Sequence, residues 1–140
     1  MEVLGLDHVH LEVRDRAQAA EWFGRVLGLV PHAPFALWAK DPLGPLILAT
    51  PAGAPTLSLF EREALPPTRD ATVALRVNGK GFLTFLERLK ELDLKHSDGD
   101  RLTRQHVIDH EFSWSIYFVD PWDNRLEITT YDYNAVARAV

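Results

Sequence analysis

Apolar and polar residues alternate along residues 6–13. Val9, Leu11 and Val13 fall on one face and His8, His10 and Glu12 on the other, which is the two-residue period of a half-buried strand. Asp15 then offers a helix N-cap and Gly28 a left-handed stop. Between them Ala20, Phe23 and Leu27 recur at helical spacing, so the sequence predicts a helix over residues 16–27. Three short apolar runs follow at residues 35–39, 45–49 and 56–60. Each is set off by proline or glycine, and each reads as a strand.

Residues 61–70 contain Pro66-Pro67 and read as a linker. The pattern then starts again. Val73, Leu75 and Val77 fall where Val9, Leu11 and Val13 stood, and a helix from about residue 80 to residue 92 carries Phe82, Phe85, Leu86 and Leu89 on one face. A strand is predicted around residues 102–108. Two more follow, with Trp114, Ile116 and Phe118 alternating in the first and Leu126 and Ile128 in the second. They are joined by the turn chemistry of Asp120-Pro-Trp-Asp-Asn. The chain is a diverged tandem repeat of about 65 residues. The expected fold is therefore α+β, with two tandem βαβββ modules forming a curved, mixed, eight-stranded sheet around a cavity. The repeats span about residues 4–61 and 70–131 of a single domain, and residues 132–140 form a short C-terminal tail.

In each repeat a helix covers the apolar face of the first strand, leaving the other face to a cavity or to solvent. That face carries His8, His10 and Glu12, then Ser58 and Phe60, then Thr72, Ala74 and Arg76, and finally Ser115, Tyr117, Glu127 and Thr129. A carboxylate in mid-strand between apolar neighbours, as Glu127 is, must be solvated, paired or bound to a metal. Histidines, a tyrosine and a carboxylate on one concave sheet make the usual composition of a ligand site.

Composition narrows the classes. A net charge of -5 argues against a general nucleic-acid binder, which would carry a basic stripe. No run of about 18 apolar residues is present to span a membrane, and the first residues lack the basic and apolar stretch of a signal peptide. With no cysteine, disulfides and thiolate metal sites are excluded. A cytoplasmic protein is the expectation.

The doubled strand–helix–three-strand pattern, the opening Leu6-Asp-His8-Val-His-Leu and the closing Ser-Ile-Tyr117-Phe-Val-Asp-Pro-Trp-Asp-Asn-Arg-Leu-Glu127 resemble the vicinal oxygen chelate superfamily. That group includes glyoxalases, extradiol dioxygenases, fosfomycin-modifying enzymes and bleomycin-binding proteins. The end segment is most similar to the extradiol dioxygenase signature, through His110, Ile116-Tyr117, Asp120-Pro121 and Glu127, with Asp123 where glycine or proline is usual. The resemblance implies His8 and Glu127 as metal ligands, with Tyr117 and His110 donating hydrogen bonds or carrying protons beside them. Two other ligand positions of the superfamily match Thr72 and Ser58. His10, two residues along the same face as His8, is the candidate third ligand, with His106 or His110 as alternatives.

By the same resemblance, the expected cofactor is a divalent metal, Fe(II) or Mn(II) ahead of Zn(II) or Ni(II). The expected partners are a small-molecule substrate with vicinal oxygens, such as an aromatic diol, and a second copy of the chain in a homodimer. Three functional classes are weighed. One is a metal-dependent enzyme of the dioxygenase or glyoxalase kind. Another is a non-catalytic protein of the same fold that sequesters a small compound at an incomplete metal site. The third, a purely structural or regulatory dimer module, has no positive sign in the sequence.

Overall fold

The computed structural model describes residues 7–63 and 71–140, so Leu6 and most of the expected linker lie outside the described residues. The chain forms two compact units, Met1–Pro66 and Pro67–Val140. Each is built the same way.

In the first unit, β1 (Val9–Val13) leads into α1 (Arg16–Leu27), followed by β2 (Val30–Pro31), β3 (Leu46–Ala49) and β4 (Pro55–Glu61). The sheet order is β1-β4-β3-β2, with β1 and β4 parallel and the other pairs antiparallel. The ends of α1 follow from single residues. The Asp15 carboxylate accepts from the Gln18 N–H at 2.9 Å, and Gly28 stops the helix at φ 71°, a conformation open to glycine without a Cβ clash. The helix buries Ala19, Trp22, Phe23 and Val26, a stripe set one residue back from the Ala20 and Leu27 of the sequence reading. Leu11, Val13, Leu57, Leu59 and Leu48 join this stripe in the buried core.

Residues 35–39 are not the strand their apolar run suggests. They lie in a 3₁₀ segment, Ala33–Lys40, in which no residue is buried. Pro34 stands at its first turn, where a missing N–H costs nothing. The Arg16 guanidinium gathers the carbonyls at its far end, donating to Ala39 O at 3.4 Å, Asp41 O at 3.2 Å and also to Gly44 O. A tertiary contact made from α1 thus fixes this segment.

The second unit repeats the plan with β5 (Thr72–Arg76), α2 (Gly79–Arg88), β6 (Val107–Asp109), β7 (Trp114–Val119) and β8 (Arg125–Thr130), in sheet order β5-β8-β7-β6. Again the first and last strands are parallel and the other pairs antiparallel. Eight strands in two four-stranded mixed sheets, with helices on one face of each, make the α+β architecture of two like modules. Phe82, Phe85, Leu86 and Leu89 are buried as the helical pattern requires, and the Phe85 and Phe118 rings stand 5.6 Å apart.

The α2 helix ends earlier than residue 92. Beyond Arg88 the chain turns, with both Glu91 N–H and Leu92 N–H donating to Arg88 O. Much of the predicted strand at 102–108 is a 3₁₀ turn, Arg104–His106, before β6. The C-terminal tail belongs to this unit. Residues Tyr133–Val136 form a short helix, α3, with Val136 buried. The Asp132 carboxylate accepts from Gly79 N–H at 2.7 Å at the start of α2. A Cβ on Gly79 would stand 3.0 Å from the Asp132 Cβ, so a larger residue would have to push Asp132 back by a few tenths of an ångström.

No helix among the described residues is long and apolar enough to cross a membrane.

Candidate functional site

The β7–β8 hairpin fixes the most chemically distinctive face of the second unit. Asp120, 2% exposed, accepts from Trp122 N–H at 2.8 Å and Asn124 N–H at 2.9 Å through one oxygen, and from the Asn124 amide at 2.6 Å through the other. Asp123 adopts φ 63°, the left-handed conformation that Asp tolerates better than most residues. This turn sets a register that pairs Tyr117 with Glu127 and Ser115 with Thr129. A slip of one residue would send all four to the opposite face, under α2.

Glu127 is half-buried in the middle of β8, with Tyr117 opposite on β7 and Ala74 opposite on β5. Ser115 Oγ donates to Glu127 Oε1 at 2.7 Å and is hydrogen-bonded to Thr129 Oγ1 at 3.0 Å. Ser115 thus holds one carboxylate oxygen in place, and Thr129 in turn holds Ser115. Beside them, Tyr117 Oη lies 3.1 Å from His110 Nε2, the two rings edge-on at 6.2 Å. His110 is steadied by the β6–β7 turn, where its N–H donates to Ser113 O at 2.9 Å and Glu111 takes φ 68°.

Burial pushes the Tyr117 phenol above its ordinary pKa, and the negative charge of Glu127 pushes it further the same way. Both oppose a phenolate. At neutral pH Tyr117 is therefore a phenol that can donate, with an imidazole in reach to take or return the proton.

In the first unit His8 precedes β1 and its side chain is exposed. Its Nδ1 stands 2.6 Å from Asp7 Oδ2, an arrangement that fixes the ring and leaves Nε2 as the second ring nitrogen. A carboxylate on one imidazole nitrogen commonly accompanies coordination by the other. His10 pairs with Ser58 in the β1–β4 register, and its ring lies 4.2 Å from that of Phe60. Glu12 on the same face pairs with Arg62 at 3.6 Å.

The registers relate the two units. Val9 pairs with Leu57 as Val73 pairs with Leu126. On that alignment Thr72 repeats His8, Ala74 repeats His10, and Ser58 repeats Glu127. Ile47, opposite Ser58, repeats Tyr117. Each module thus carries part of one doubled set of positions, with histidines kept in the first and the carboxylate–phenol pair kept in the second. Thr72 is exposed and Ser58 buried.

Among the described residues, neither unit by itself assembles three or more His, Asp or Glu side chains around one point. His106 is held in its own turn, its Nδ1 accepting from Thr103 N–H at 3.1 Å. Its ring stands 5.0 Å from His96, which pairs with Asp98 at 2.8 Å. The donor types fit a divalent metal all the same. Imidazole with a free second nitrogen and a carboxylate oriented by a serine are the ligands that Fe(II) and Mn(II) accept. Sequence reasoning placed Ser115 and Thr129 on this face without giving them a role. The signal available was their cross-strand position in the row next to Glu127.

No protein-family profile matches the sequence, and no curated protein matches it. Solved structures do. Oxidase ChaP-H2 superposes with a TM-score of 0.67 at 23% identity, covering 92% of this chain and 94% of that one. The fosfomycin resistance protein FosX from Listeria monocytogenes, in complex with Mn(II) and sulfate, gives a TM-score of 0.66 at 16% identity over 98% of each chain. A possible glyoxalase from Bacillus cereus gives 0.62 at 17% identity, covering 90% of this chain and 98% of that one. The chain has the fold of these proteins.

Proposed function

We propose that this protein is a metal-dependent enzyme acting on a small substrate with two adjacent oxygens, most like an extradiol dioxygenase or a glyoxalase-type lyase. The observation that carries this reading is the Tyr117 phenol, opposite Glu127 in the β7–β8 register and 3.1 Å from the His110 imidazole. A purely structural tyrosine on a sheet has no need of both a carboxylate and a histidine.

In this reading His8 and Glu127 are metal ligands and His10 is the third. The ion is Fe(II) or Mn(II) ahead of Zn(II) or Ni(II), and the Mn(II) bound by a protein of like fold supports that class. When bound, such an ion supplies Lewis-acid polarisation of the two substrate oxygens. The chain's own residues do the rest. Ser115, itself hydrogen-bonded to Thr129, orients the Glu127 carboxylate so that it need not reorganise on binding. Tyr117 donates to the substrate oxygen on which negative charge grows, where a preset donor counts most. His110 takes or returns the proton at Tyr117 Oη. We further propose that the protein works as a homodimer.

Thr72 and Ser58, at positions equivalent to His8 and Glu127, favour a second reading. This is a binding protein of the same fold that sequesters a small planar compound without turnover. One measurement separates the two. Protein purified without chelators is assayed for metal alongside His8→Ala and Glu127→Ala. Near-stoichiometric iron, manganese, zinc or nickel that is lost in both variants supports the enzyme. A wild-type protein that takes up no divalent ion, even when supplied anaerobically, removes that reading and leaves the binding protein.

A further inference from the structure

A concavity lies in the second unit, between the end of α2 and the segment before β6. It has a volume of about 510 Å³ and is lined by Leu86, Leu89, Lys90, Arg101, Leu102 and Arg104, together with Glu87 and Thr103. None of these residues belongs to the Glu127 face. The volume falls within the ordinary range for a small-molecule site.

Its chemistry is divided. Leu86, Leu89 and Leu102 are 2%, 3% and 1% exposed, so they close its floor as part of the core, and the aliphatic stems of the rim residues supply most of the apolar surface open to a ligand. Its rim carries three cations against one carboxylate, in a chain whose net charge is -5. Among the described residues, no carboxylate forms an ion pair with Lys90, Arg101 or Arg104. Cations near the end of α2 complement its dipole, and Arg101 does serve α2 in that way, donating to Lys90 O at 3.0 Å. That bond also fixes its guanidinium at the rim. Arg104 has no such duty. It opens the 3₁₀ turn whose geometry is set by Thr103 and His106.

We propose that this concavity binds a small organic monoanion, a carboxylate with a short apolar body. The body would lie along the aliphatic stems of Lys90, Arg101 and Arg104 above the three leucines, and the carboxylate among their charged ends. Glu87 on the rim opposes a second negative charge on the ligand. Arginine suits this role because its planar fork matches a carboxylate.

Octanoate serves as the probe, with octanol and acetate as controls, followed by calorimetry and by backbone amide shifts of the full chain. Saturable one-site binding of octanoate is expected, with shifts at Leu86, Leu89 and Leu102. Acetate, which lacks the apolar body, and octanol, which lacks the charge, should each bind at least about tenfold more weakly. Lys90→Ala and Arg104→Ala should together weaken octanoate binding by about tenfold. Both residues are exposed and neither side chain makes a hydrogen bond or ion pair among the described residues, so these variants should fold. Arg101→Ala is the riskier variant because it frees an α2 carbonyl. Glu127→Ala should bind octanoate unchanged, which separates this site from the metal site. Octanol binding as tightly as octanoate, full retention of binding in the Lys90→Ala, Arg104→Ala pair, or shifts confined to the Glu127 face would each overturn the proposal.

Discussion

At the scale of single residues, the pairing of Tyr117 with Glu127 makes a statement about pH. A phenol whose pKa is raised in the folded state adds stability that is complete below its ordinary value of 10.0 and is lost as pH rises through the folded value. Tyr133 is shifted the same way, chiefly because its hydroxyl donates to Asp109 Oδ2 at 2.7 Å. Following tyrosinate absorbance in the folded protein should therefore show two tyrosines that ionise late. Tyr117→Phe should leave one. If the amplitude lost in Tyr117→Phe comes instead from tyrosine ionising at the ordinary value, neither burial nor Glu127 acts on this phenol. Glu127 itself was legible in the sequence as a mid-strand carboxylate needing an explanation. Its serine partner was not, because a hydroxyl on a half-polar face looks like any solvated residue until the cross-strand register is known.

At the scale of elements, the Asp120 turn decides whether the site exists at all. One buried carboxylate satisfies three donors, Trp122 N–H, Asn124 N–H and the Asn124 amide. Asp120→Ala should cost about 3 kcal/mol, since each buried donor left unpaired costs about 1–3 kcal/mol and such losses do not add fully. Chemical denaturation should show that loss as a lower midpoint with an unchanged slope. A loss under about 1 kcal/mol would mean that water replaces the carboxylate and that the turn is not what sets the register. The elements that sequence made plain are those with local causes. Asp15 and Gly28 bound α1, Phe82 to Leu89 stripe α2, and alternation marks β1, β5, β7 and β8. The misread ones are decided from a distance. The Ala33–Lys40 segment takes its shape from Arg16 on α1. The chain after Arg88 keeps helical apolar spacing through Leu92 while Arg101 takes the Lys90 carbonyl from outside. Periodicity reports which side of a segment is buried, and both of these patterns fit more than one backbone.

At the scale of the whole molecule, the doubled plan is the deepest regularity, and the candidate chemistry consists of its exceptions. Both modules pair first strand with last in parallel and in the same register, so a functional side chain in one has a named counterpart in the other. His8 has Thr72 and Glu127 has Ser58. The duplication was legible from the return of Val9, Leu11 and Val13 as Val73, Leu75 and Val77. The equivalence of Ser58 to Glu127 was not, because it depends on strand pairings across the sheet. This equivalence gives a direct way to add an imidazole beside Glu127. Thr72 is exposed and pairs with Arg125, one step along β8 on the same face as Glu127, and diagonal neighbours of this kind stand about 7–8 Å apart. An imidazole at that position reaches toward the carboxylate from a strand whose backbone need not move. Thr72→His should raise affinity for Mn(II) or Fe(II) by at least about tenfold, worth about 1.4 kcal/mol. Thermal stability without metal should stay within about 0.5 kcal/mol, as for other exposed substitutions. The added affinity should vanish when Glu127→Ala is introduced beside it. A gain that survives Glu127→Ala would place the new histidine on some other ion and would count against Glu127 as a ligand.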